Sequence, residues 1–218
     1  IGRWGPDLLT NRYDDRTHFI FELLQNAEDA LGRRKGWQGS RAVNFSLSAT
    51  ELRVTHCGKP FDGPDVRGIC GIGDSTKDLT AIGRFGIGFK SVYAFTHQPE
   101  VHSGAEDFAI ENFVWPIAIS PIDRQVDETV FVLPLPSEDA EAHAEIAEGL
   151  RRLGARTLLF LRHIEEIAWS VEGGPSGLYV RGKPEQIGES TRRVVLRSAE
   201  YHRHGAVRGA ALGAYAGA

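Results

Sequence analysis

The sequence predicts an α+β protein, because an amphipathic helical pattern and strand-like alternating patterns occur in the same chain. The helical pattern lies near the N-terminus and includes residues 22–30. Two short alternating runs follow it, and further strand-like runs surround a second helical segment in the C-terminal half. At 218 residues, with 41% hydrophobic and 25% charged residues, the chain is long enough to bury a sizeable core without disulfide bonds or metals.

The first helix is predicted over residues 17–34, with Asp14 or Asp15 as its N-cap and Gly36 beyond its end. An apolar stripe and a roughly opposite polar stripe divide its surface: Ile20, Leu24, Ala27 and Leu31 form the first, and Glu22, Asn26, Asp29 and Arg33 form the second. The apolar stripe is expected to pack, which leaves the polar stripe free for chemistry. Taken alone, the pattern fits an ordinary helix with a solvated polar face equally well.

The next segments alternate in period two and then become rich in glycine. Residues 42–47 and 51–55, with a three-residue connection, predict an antiparallel hairpin. Residues 57–88 contain eight glycines and few large apolar side chains, which favours a functional loop or lid over a structureless linker. After it, residues 89–95 predict a short buried helix.

The remaining elements are predicted from the same patterns. Strands are expected near residues 100–102, 108–110, 129–133, 167–171, 178–181 and 193–196. Helices are expected over residues 137–153, with Ser137 as the cap, and over residues 157–163. From Tyr201 onward the composition turns to Ala, Gly, Arg and His without a period, so residues 201–218 are predicted to be a disordered or truncated tail.

Composition also limits the function and the cell compartment. With 25 basic and 29 acidic side chains and no Lys/Arg block, a dedicated nucleic-acid surface is not expected. No apolar run approaches the roughly 18 residues of a membrane span. Cys57 and Cys70 are too few for a disulfide framework and lack zinc-site spacing, so we expect a cytoplasmic protein. The absence of Met, including at position 1, leads us to expect a fragment of a longer protein.

The most specific motif is a run of closely spaced glycines and aromatic residues that leads into a helix. Its members are Gly83, Phe85, Gly86, Ile87, Gly88 and Phe89. Glycines allow backbone N–H groups to approach an anion, and a helix N-terminus adds partial positive charge, so the run predicts phosphate binding. The run is neither a P-loop nor a dinucleotide fingerprint. A glycine-rich turn with packing roles is the alternative interpretation.

A second group of candidate phosphate ligands lies upstream of these glycines. Ser75 and Thr76 carry hydroxyl groups, Lys77 carries an ammonium group, and Gly71 and Gly73 precede them. The ammonium group of Lys77 is a candidate ligand for a phosphate. An exposed loop lysine that is only solvated is the alternative.

These motifs, in this order, resemble those of the GHKL superfamily of ATPases, which includes gyrase, heat-shock chaperones, histidine kinases and mismatch-repair ATPases. The resemblance is carried by residues 22–30, 58–61, 75–77 and 83–91, and it extends over residues 13–135. Within the superfamily the chain resembles sacsin-type and heat-shock-chaperone-type ATP-binding domains. The resemblance implies a two-layer α/β sandwich, in which helices cover one face of a mixed, mostly antiparallel sheet and a glycine-rich lid closes over ATP.

The resemblance also implies roles for individual residues of the polar stripe. Asn26 matches the asparagine that binds Mg2+ beside the phosphates, and Glu22 matches the general base that activates water. The spacing of four residues places the Glu22 carboxylate one helical turn from Asn26 on the same face. Asp29 matches a position that lines the nucleotide site. Mg2+ keeps several waters and phosphate ligands, so one protein ligand is chemically adequate.

At the base-recognition end the sequence departs from the family pattern. The adenine-reading aspartate normally lies two residues before the first glycine of its motif, here Gly58, and His56 occupies that position. A neutral imidazole accepts one hydrogen bond, but it has no fixed negative charge. Thr129 resembles the strand threonine that helps hold adenine. A structural histidine and a strand-filling threonine are the alternatives.

Together these observations predict an ATP-binding domain over residues 1–200, with ATP and Mg2+ as cofactors and Mg-dependent hydrolysis that drives lid closure in a larger chaperone-like or regulatory protein. ATP, ADP, further domains of the same polypeptide or a second subunit are the expected partners. The sequence does not identify the positive group near the terminal phosphate; the candidates are Lys77, Lys90 and an arginine from a following domain or another subunit. A nucleotide-gated interaction module with little turnover, a histidine-kinase catalytic domain and a degenerate scaffold are the alternatives.

Overall fold

In the structure, a computed structural model, twelve strands form one mixed and mostly antiparallel sheet, which confirms the α+β prediction. The structure describes residues 16–71, 88–136, 140–201, 207–209 and 213–217. The strands are β1 (Ala42–Leu47), β2 (Glu51–His56), β3 (Glu100–Ser103), β4 (Glu106–Glu111), β5 (Trp115–Ala118), β6 (Thr129–Pro134), β7 (Glu166–Val171), β8 (Ser176–Arg181), β9 (Glu185–Gln186), β10 (Arg192–Tyr201), β11 (Val207–Gly209) and β12 (Gly213–Gly217).

The strand order is β11-β10-β8-β7-β1-β2-β6-β3-β4-β5, and β9 and β12 also pair with β10. Within the described residues β1 and β7 are the parallel pair, and the other paired strands are antiparallel. The parallel pair requires a long crossover, and the helix α3 (Ala140–Arg152) belongs to it.

Two further α-helices complete the described secondary structure, together with three 3-10 segments. They are α1 (Phe19–Arg33), α2 (Gly63–Cys70) and the 3-10 segments Arg16–His18, Phe89–Ala94 and Ala155–Leu159. None of the described helices combines the length and the apolar character that crossing a membrane would require.

Alternating burial along the central strands explains the two-layer arrangement. In β1, Val43, Phe45 and Leu47 are buried, whereas Asn44 and Ser46 are exposed. One sheet face therefore packs against the helices and the other faces solvent, as expected of an antiparallel sheet with one covered face. The apolar stripe of α1 and the buried residues of α3 belong to the same core as β1.

The first helix and the hairpin that follows it agree closely with the sequence expectations. The hairpin is confirmed, with β2 one residue longer than predicted, and Val43 opposite His56. The first helix runs from Phe19 to Arg33 and continues from a 3-10 turn instead of a side-chain cap, because His18 makes no capping hydrogen bond. The proposed caps Asp14, Asp15 and Ser137 lie outside the described residues.

Other boundaries differ from the predictions. The glycine-rich stretch contains α2. This helix was not predicted, because the high glycine content favoured a loop. A capping box of Asp62 and Asp65 starts this helix, and Gly71, at a positive φ of 68°, ends it. The predicted helix over residues 157–163 is wrong, since the 3-10 segment Ala155–Leu159 takes its place. The strand β5 was not predicted.

The C-terminal segment contains paired strands in its described part, although its composition predicted a disordered or truncated tail. The strands β11 and β12 both pair with β10 in antiparallel registers. Such pairing depends on the backbone of a distant strand, so a segment without apolar periodicity can still form a strand.

Candidate functional site

The carboxylate of Glu22 lies between α1 and the end of the glycine motif. Its Oε1 atom is 2.9 Å from His18 Nε2. Its Oε2 atom lies against Gly88, so closely that a Cβ added to Gly88 would overlap it. The Glu22 side chain is 30% exposed, which leaves it accessible to water. The structure therefore brings together Glu22 and Gly88, two residues that are far apart in the sequence, with the β1–β2 hairpin and α2 between them.

Asn26 lies one turn further along α1 and is half-buried. Among the described residues its side-chain amide has no hydrogen-bond partner. A half-buried amide with free hydrogen-bonding capacity suits a single oxygen ligand to Mg2+. No group of three or more His, Cys, Asp or Glu side chains in the described part of the chain is arranged to hold a metal. A metal at Asn26 would therefore depend on phosphate oxygens and water for its other ligands.

Asp29 has different neighbours from Glu22 and Asn26. It is exposed, and its Oδ1 accepts a hydrogen bond of 2.8 Å from Gln25 Nε2. It also lines a cleft of about 590 Å³, whose lining includes Phe160 and His163. This cleft lies on the Gln25 flank of the helix, and neither Glu22 nor Asn26 lines it. The assignment of Asp29 to the nucleotide site stays a prediction.

Only the end of the glycine motif is described. The carbonyl of Gly88 accepts hydrogen bonds from Ser91 N at 3.1 Å and from Ser91 Oγ at 2.6 Å. Phe89 is fully buried, with its ring centroid 5.7 Å from that of Phe131 on β6. These contacts anchor the end of the motif to the sheet. The remaining predicted phosphate ligands lie outside the described residues and stay predictions: Ser75, Thr76, Lys77, Gly83, Phe85, Gly86 and Ile87.

His56 is buried at the end of β2, opposite Thr129 on β6. Burial lowers the pKa of His56 to about 4, so the ring is neutral near pH 7. Gly58 N donates a hydrogen bond of 3.0 Å to His56 Nδ1. Because Nδ1 is the acceptor, the proton of the neutral ring resides on Nε2. The nitrogen that remains available is therefore a donor, and a role for His56 in base recognition stays a prediction.

Thr129 and Gly58 both have clear structural contacts. Thr129 Oγ1 lies 2.6 Å from Ser103 Oγ, which also accepts a hydrogen bond of 3.0 Å from Phe61 N. A Cβ added to Gly58 would overlap Ala30 on α1. This close approach positions the segment after β2 against the helix. Roles for Thr129 and Gly58 in base recognition stay predictions.

Lys90 belongs to the 3-10 segment Phe89–Ala94, and its ammonium group lies near Gly71 at the C-terminal end of α2. Its Nζ atom is 3.2 Å from the point where a Cβ on Gly71 would lie. Burial raises the pKa of the Cys70 thiol, and the positive charge of Lys90 opposes that shift. A cation suits this location, because the C-terminus of a helix carries partial negative charge.

Glu28 is a buried residue whose role the sequence analysis missed. Its carboxylate accepts hydrogen bonds from the backbone N–H groups of Arg162, His163 and Ile164, at 2.6 to 3.0 Å. The side chain is on α1, and its partners lie directly before β7. The signal in the sequence was an acidic residue next to the apolar stripe, where a carboxylate needs buried hydrogen-bond donors.

A cluster of charges at the start of α2 was also missed. Lys59 Nζ lies 2.7 Å from Asp62 Oδ2 and 3.3 Å from Asp65 Oδ2, and Arg33 lies 2.6 Å from Asp65 Oδ1. The hydrogen bond from Lys59, with that from the backbone of Asp65, lowers the pKa of Asp62 to about 2. The cluster connects the end of α1 to the start of α2.

Comparison with known proteins gives distant similarities. No protein-family model matches the chain. The chain is 31% identical over 131 residues to Protein NO VEIN of Arabidopsis thaliana. The aligned region covers 56% of the chain and 5% of that protein. It is 35% identical over 115 residues to Sacsin of Homo sapiens. That aligned region covers 44% of the chain and 2% of Sacsin.

A third similarity covers more of the chain at lower identity. It is to Chaperone protein HtpG of a Sulfurovum species, at 23% identity over 236 aligned positions, which cover 92% of the chain and 38% of that protein. The chain thus spans a small part of each of these relatives. The similarities indicate a distant relation to sacsin and to a chaperone.

Proposed function

We propose that this chain is an ATP-binding domain that hydrolyses ATP with Mg2+ and couples hydrolysis to closure of the segment between α2 and Gly88. The observation that carries the proposal is the contact of Glu22 with Gly88. Asn26 follows on the same helix, and its side-chain amide has no hydrogen-bond partner in the part of the chain that the structure describes. A carboxylate and the end of a glycine motif meet there, and the amide lies one helical turn further along α1. The distant similarity to a chaperone and to sacsin supports placing the domain in a larger chaperone-like or regulatory protein.

In the proposed reaction Glu22 is the general base. It accepts a proton from a water molecule while a lone pair of that water forms a bond to the terminal phosphorus. The bond between this phosphorus and the bridging oxygen breaks, and its electron pair leaves with ADP. The proton then passes from Glu22 to solvent, so the products are ADP and inorganic phosphate.

Two further groups serve substrate positioning in this proposal. Asn26 supplies the protein oxygen for Mg2+, which neutralises charge on the phosphates. The backbone that follows Gly83 supplies N–H donors to the phosphates. His56 offers its Nε2–H group, which matches an acceptor on a base and not the 6-amino group of adenine. Base preference therefore has to be measured with more than one nucleotide.

A thermal-shift titration with Mg-ATP, Mg-ADP and Mg-GTP tests binding. A ligand of the native state raises the melting temperature according to its affinity and concentration. We expect a shift with at least one of these nucleotides and a smaller shift without Mg2+. No shift with any of them would refute the proposed function.

Phosphate release under multiple turnover tests hydrolysis. Glu22→Gln is expected to lower kcat by about 100-fold or more and to leave nucleotide affinity nearly unchanged. Glu148→Gln, on the exposed surface of α3, is the matched control and should retain the wild-type rate. Equal rates for wild type and Glu22→Gln would remove Glu22 from the mechanism.

The second candidate is a nucleotide-gated interaction module with little turnover. It is favoured by the anchoring of both ends of the proposed lid: Gly71 lies beside Lys90, and Gly88 lies beside Glu22. Tight nucleotide binding without phosphate release by the full chain, together with a nucleotide-dependent change in protease sensitivity of residues 72–87, would favour this candidate over hydrolysis.

A further inference from the structure

A second surface of α1 faces the loop that connects the 3-10 segment Ala155–Leu159 to β7. The cleft of about 590 Å³ lies there, and its lining includes Arg162 and His163 of the loop and Asp29 of α1. A cleft of this volume is large enough to bind a ligand. Glu22 does not line it, so the cleft is not the place where the proposed hydrolysis would occur.

The loop beside the cleft is held from two sides by charged groups. The Glu28 carboxylate accepts hydrogen bonds from three consecutive backbone N–H groups, those of residues 162–164. Arg181, at the end of β8, donates hydrogen bonds to three backbone carbonyl groups within residues 158–162. Hydrogen bonds to charged groups are stronger than those between neutral groups. The conformation of the loop is therefore fixed by the protein itself and does not require a ligand.

This fixed loop presents apolar side chains to solvent at the edge of the cleft. Phe160 lines the cleft and is 79% exposed, and the neighbouring Leu159 is 40% exposed. On either side of them, Leu158 and Leu161 are buried in the core. An exposed aromatic ring on a preorganised loop loses little conformational entropy when a partner covers it. Such a ring is typical of an anchor in a protein–protein interface.

The polar groups of the cleft differ in the hydrogen bonds that they already make. Both lining carboxylates have donors, since Glu28 binds backbone N–H groups and Asp29 Oδ1 accepts a hydrogen bond from Gln25 Nε2. The Arg162 side chain is exposed, and its guanidinium group forms no hydrogen bond or ion pair with another described residue. The cleft therefore offers a ligand the cation of Arg162 beside the ring of Phe160.

We propose that this cleft binds an acidic segment of a partner protein, with an apolar side chain on Phe160 and a carboxylate on Arg162. The guanidinium group matches a carboxylate in charge and in geometry. Arg33 is a second cation of the lining, although it is already paired with Asp65. A small anion would bind the guanidinium group but leave Phe160 and Leu159 exposed to water, so a peptide segment fits the surface better. The proposal does not depend on nucleotide binding.

Short capped peptides test the chemistry of the partner. The first probe has the sequence Glu-Glu-Phe-Leu-Glu-Glu, the second replaces its glutamates by lysines, and the third replaces Phe-Leu by Ser-Ser. In an NMR titration of the full chain, the first peptide should shift the backbone amide resonances of residues 159–163. We expect the other two peptides to bind at least about 10-fold more weakly, and binding of the first peptide should weaken as salt is added.

Two substitutions test the assigned contacts. Arg162→Gln removes the charge and retains the backbone hydrogen bonds of the loop, and Phe160→Ser removes an exposed ring, so neither should prevent folding. Each should weaken binding of the first peptide at least about 10-fold. Arg197→Gln and Ile187→Ser change exposed residues outside the lining and are the matched controls, which should retain the wild-type affinity.

The alternative occupants of the cleft give different results. No shift of residues 159–163 with the first peptide, or wild-type affinity in both cleft variants, would overturn the proposal. Equal binding of the Ser-Ser peptide would reduce the cleft to an anion site, and tighter binding of the lysine peptide would assign it to a basic segment; either would overturn the proposal. So would a dimer of the full chain that Phe160→Ser dissociates, since the occupant would then be a second copy.

Discussion

Glu22 and Glu28 lie on the same helix, six residues apart, and their carboxylates have opposite surroundings. Glu28 is 7% exposed and accepts hydrogen bonds from three consecutive backbone N–H groups. The side chain of Glu22 is 30% exposed, with one histidine partner and a glycine beside its other oxygen. The first carboxylate is saturated with donors, and the second retains accessible lone pairs.

This difference in surroundings suits the Glu28 carboxylate to a structural role and the Glu22 carboxylate to a chemical one. A carboxylate saturated by buried donors stabilises the fold, but it has no accessible lone pair for a water molecule. A partly exposed carboxylate with one positioned oxygen contributes less to stability and can accept a proton. His56 is intermediate, since Gly58 uses one ring nitrogen and the other has no partner among the described residues.

The largest effect on stability is expected at Glu28. Glu28→Gln replaces an acceptor oxygen by an NH2 group that faces backbone donors, so the free energy of unfolding should fall by about 3 kcal/mol. Glu22→Gln should change it by less than about 1 kcal/mol, because Glu22 is partly exposed. Urea unfolding of both variants measures the two free energies of unfolding. Equal losses of stability in the two variants would contradict this prediction.

A change in the free energy of unfolding of similar size is expected when the pH is lowered and His56 takes up a proton. Its pKa is about 4 in the folded state and 6.5 ordinarily, so the unfolded chain binds a proton in this range that the folded chain does not. The stabilising contribution is complete above pH 6.5 and is lost as the pH falls to about 4, by about 3 kcal/mol.

Urea unfolding of the wild type and of His56→Asn at several pH values measures this contribution. Asparagine retains an acceptor for Gly58 N–H but does not titrate. The variant should therefore lack the part of the acid-induced loss that His56 causes. Parallel pH profiles for both proteins would show that His56 titrates alike in the folded and unfolded states.

A smaller effect is expected at Gly58. A Cβ there would overlap the Ala30 side chain and crowd the Ala30 backbone, so the segment after β2 and α1 would have to move apart. Gly58→Ala should lower the free energy of unfolding by about 2 kcal/mol. Gly154→Ala is a suitable control for the change of residue type, because no atom lies within contact distance of the added group. A loss no greater than in the control would contradict the packing argument.

The smallest effect on stability is expected from Gly88→Ala. This substitution should instead lower the rate of turnover. The atom that an added Cβ would overlap belongs to the movable carboxylate of Glu22, which can turn away. Gly88→Ala should change the free energy of unfolding by less than about 1 kcal/mol and lower kcat about 10-fold. A stable variant with the wild-type kcat would show that this orientation of Glu22 is not needed for turnover.

The local elements were largely predictable because their signals lie in neighbouring residues. The stripe of α1, the alternation of β1 and β2 and their short connection each identify an element within about 15 residues. The helix α2 was missed because its capping box and its left-handed Gly71 are brief signals among many glycines. The strands β11 and β12 were missed because pairing with β10, and not their own sequence, defines them.

In the candidate site, too, some features were predictable from the sequence and others were not. The sequence by itself determined that Glu22 and Asn26 share one face of α1, because helical spacing alone sets that geometry. Only the tertiary structure decided that Glu22 meets Gly88, that Gly58 leaves a proton on Nε2 of His56, and that Glu28 binds backbone 134 residues away. Such partners cannot be derived from spacing, because hydrogen bonds and close packing depend on which distant segments the folded sheet and helices bring into contact.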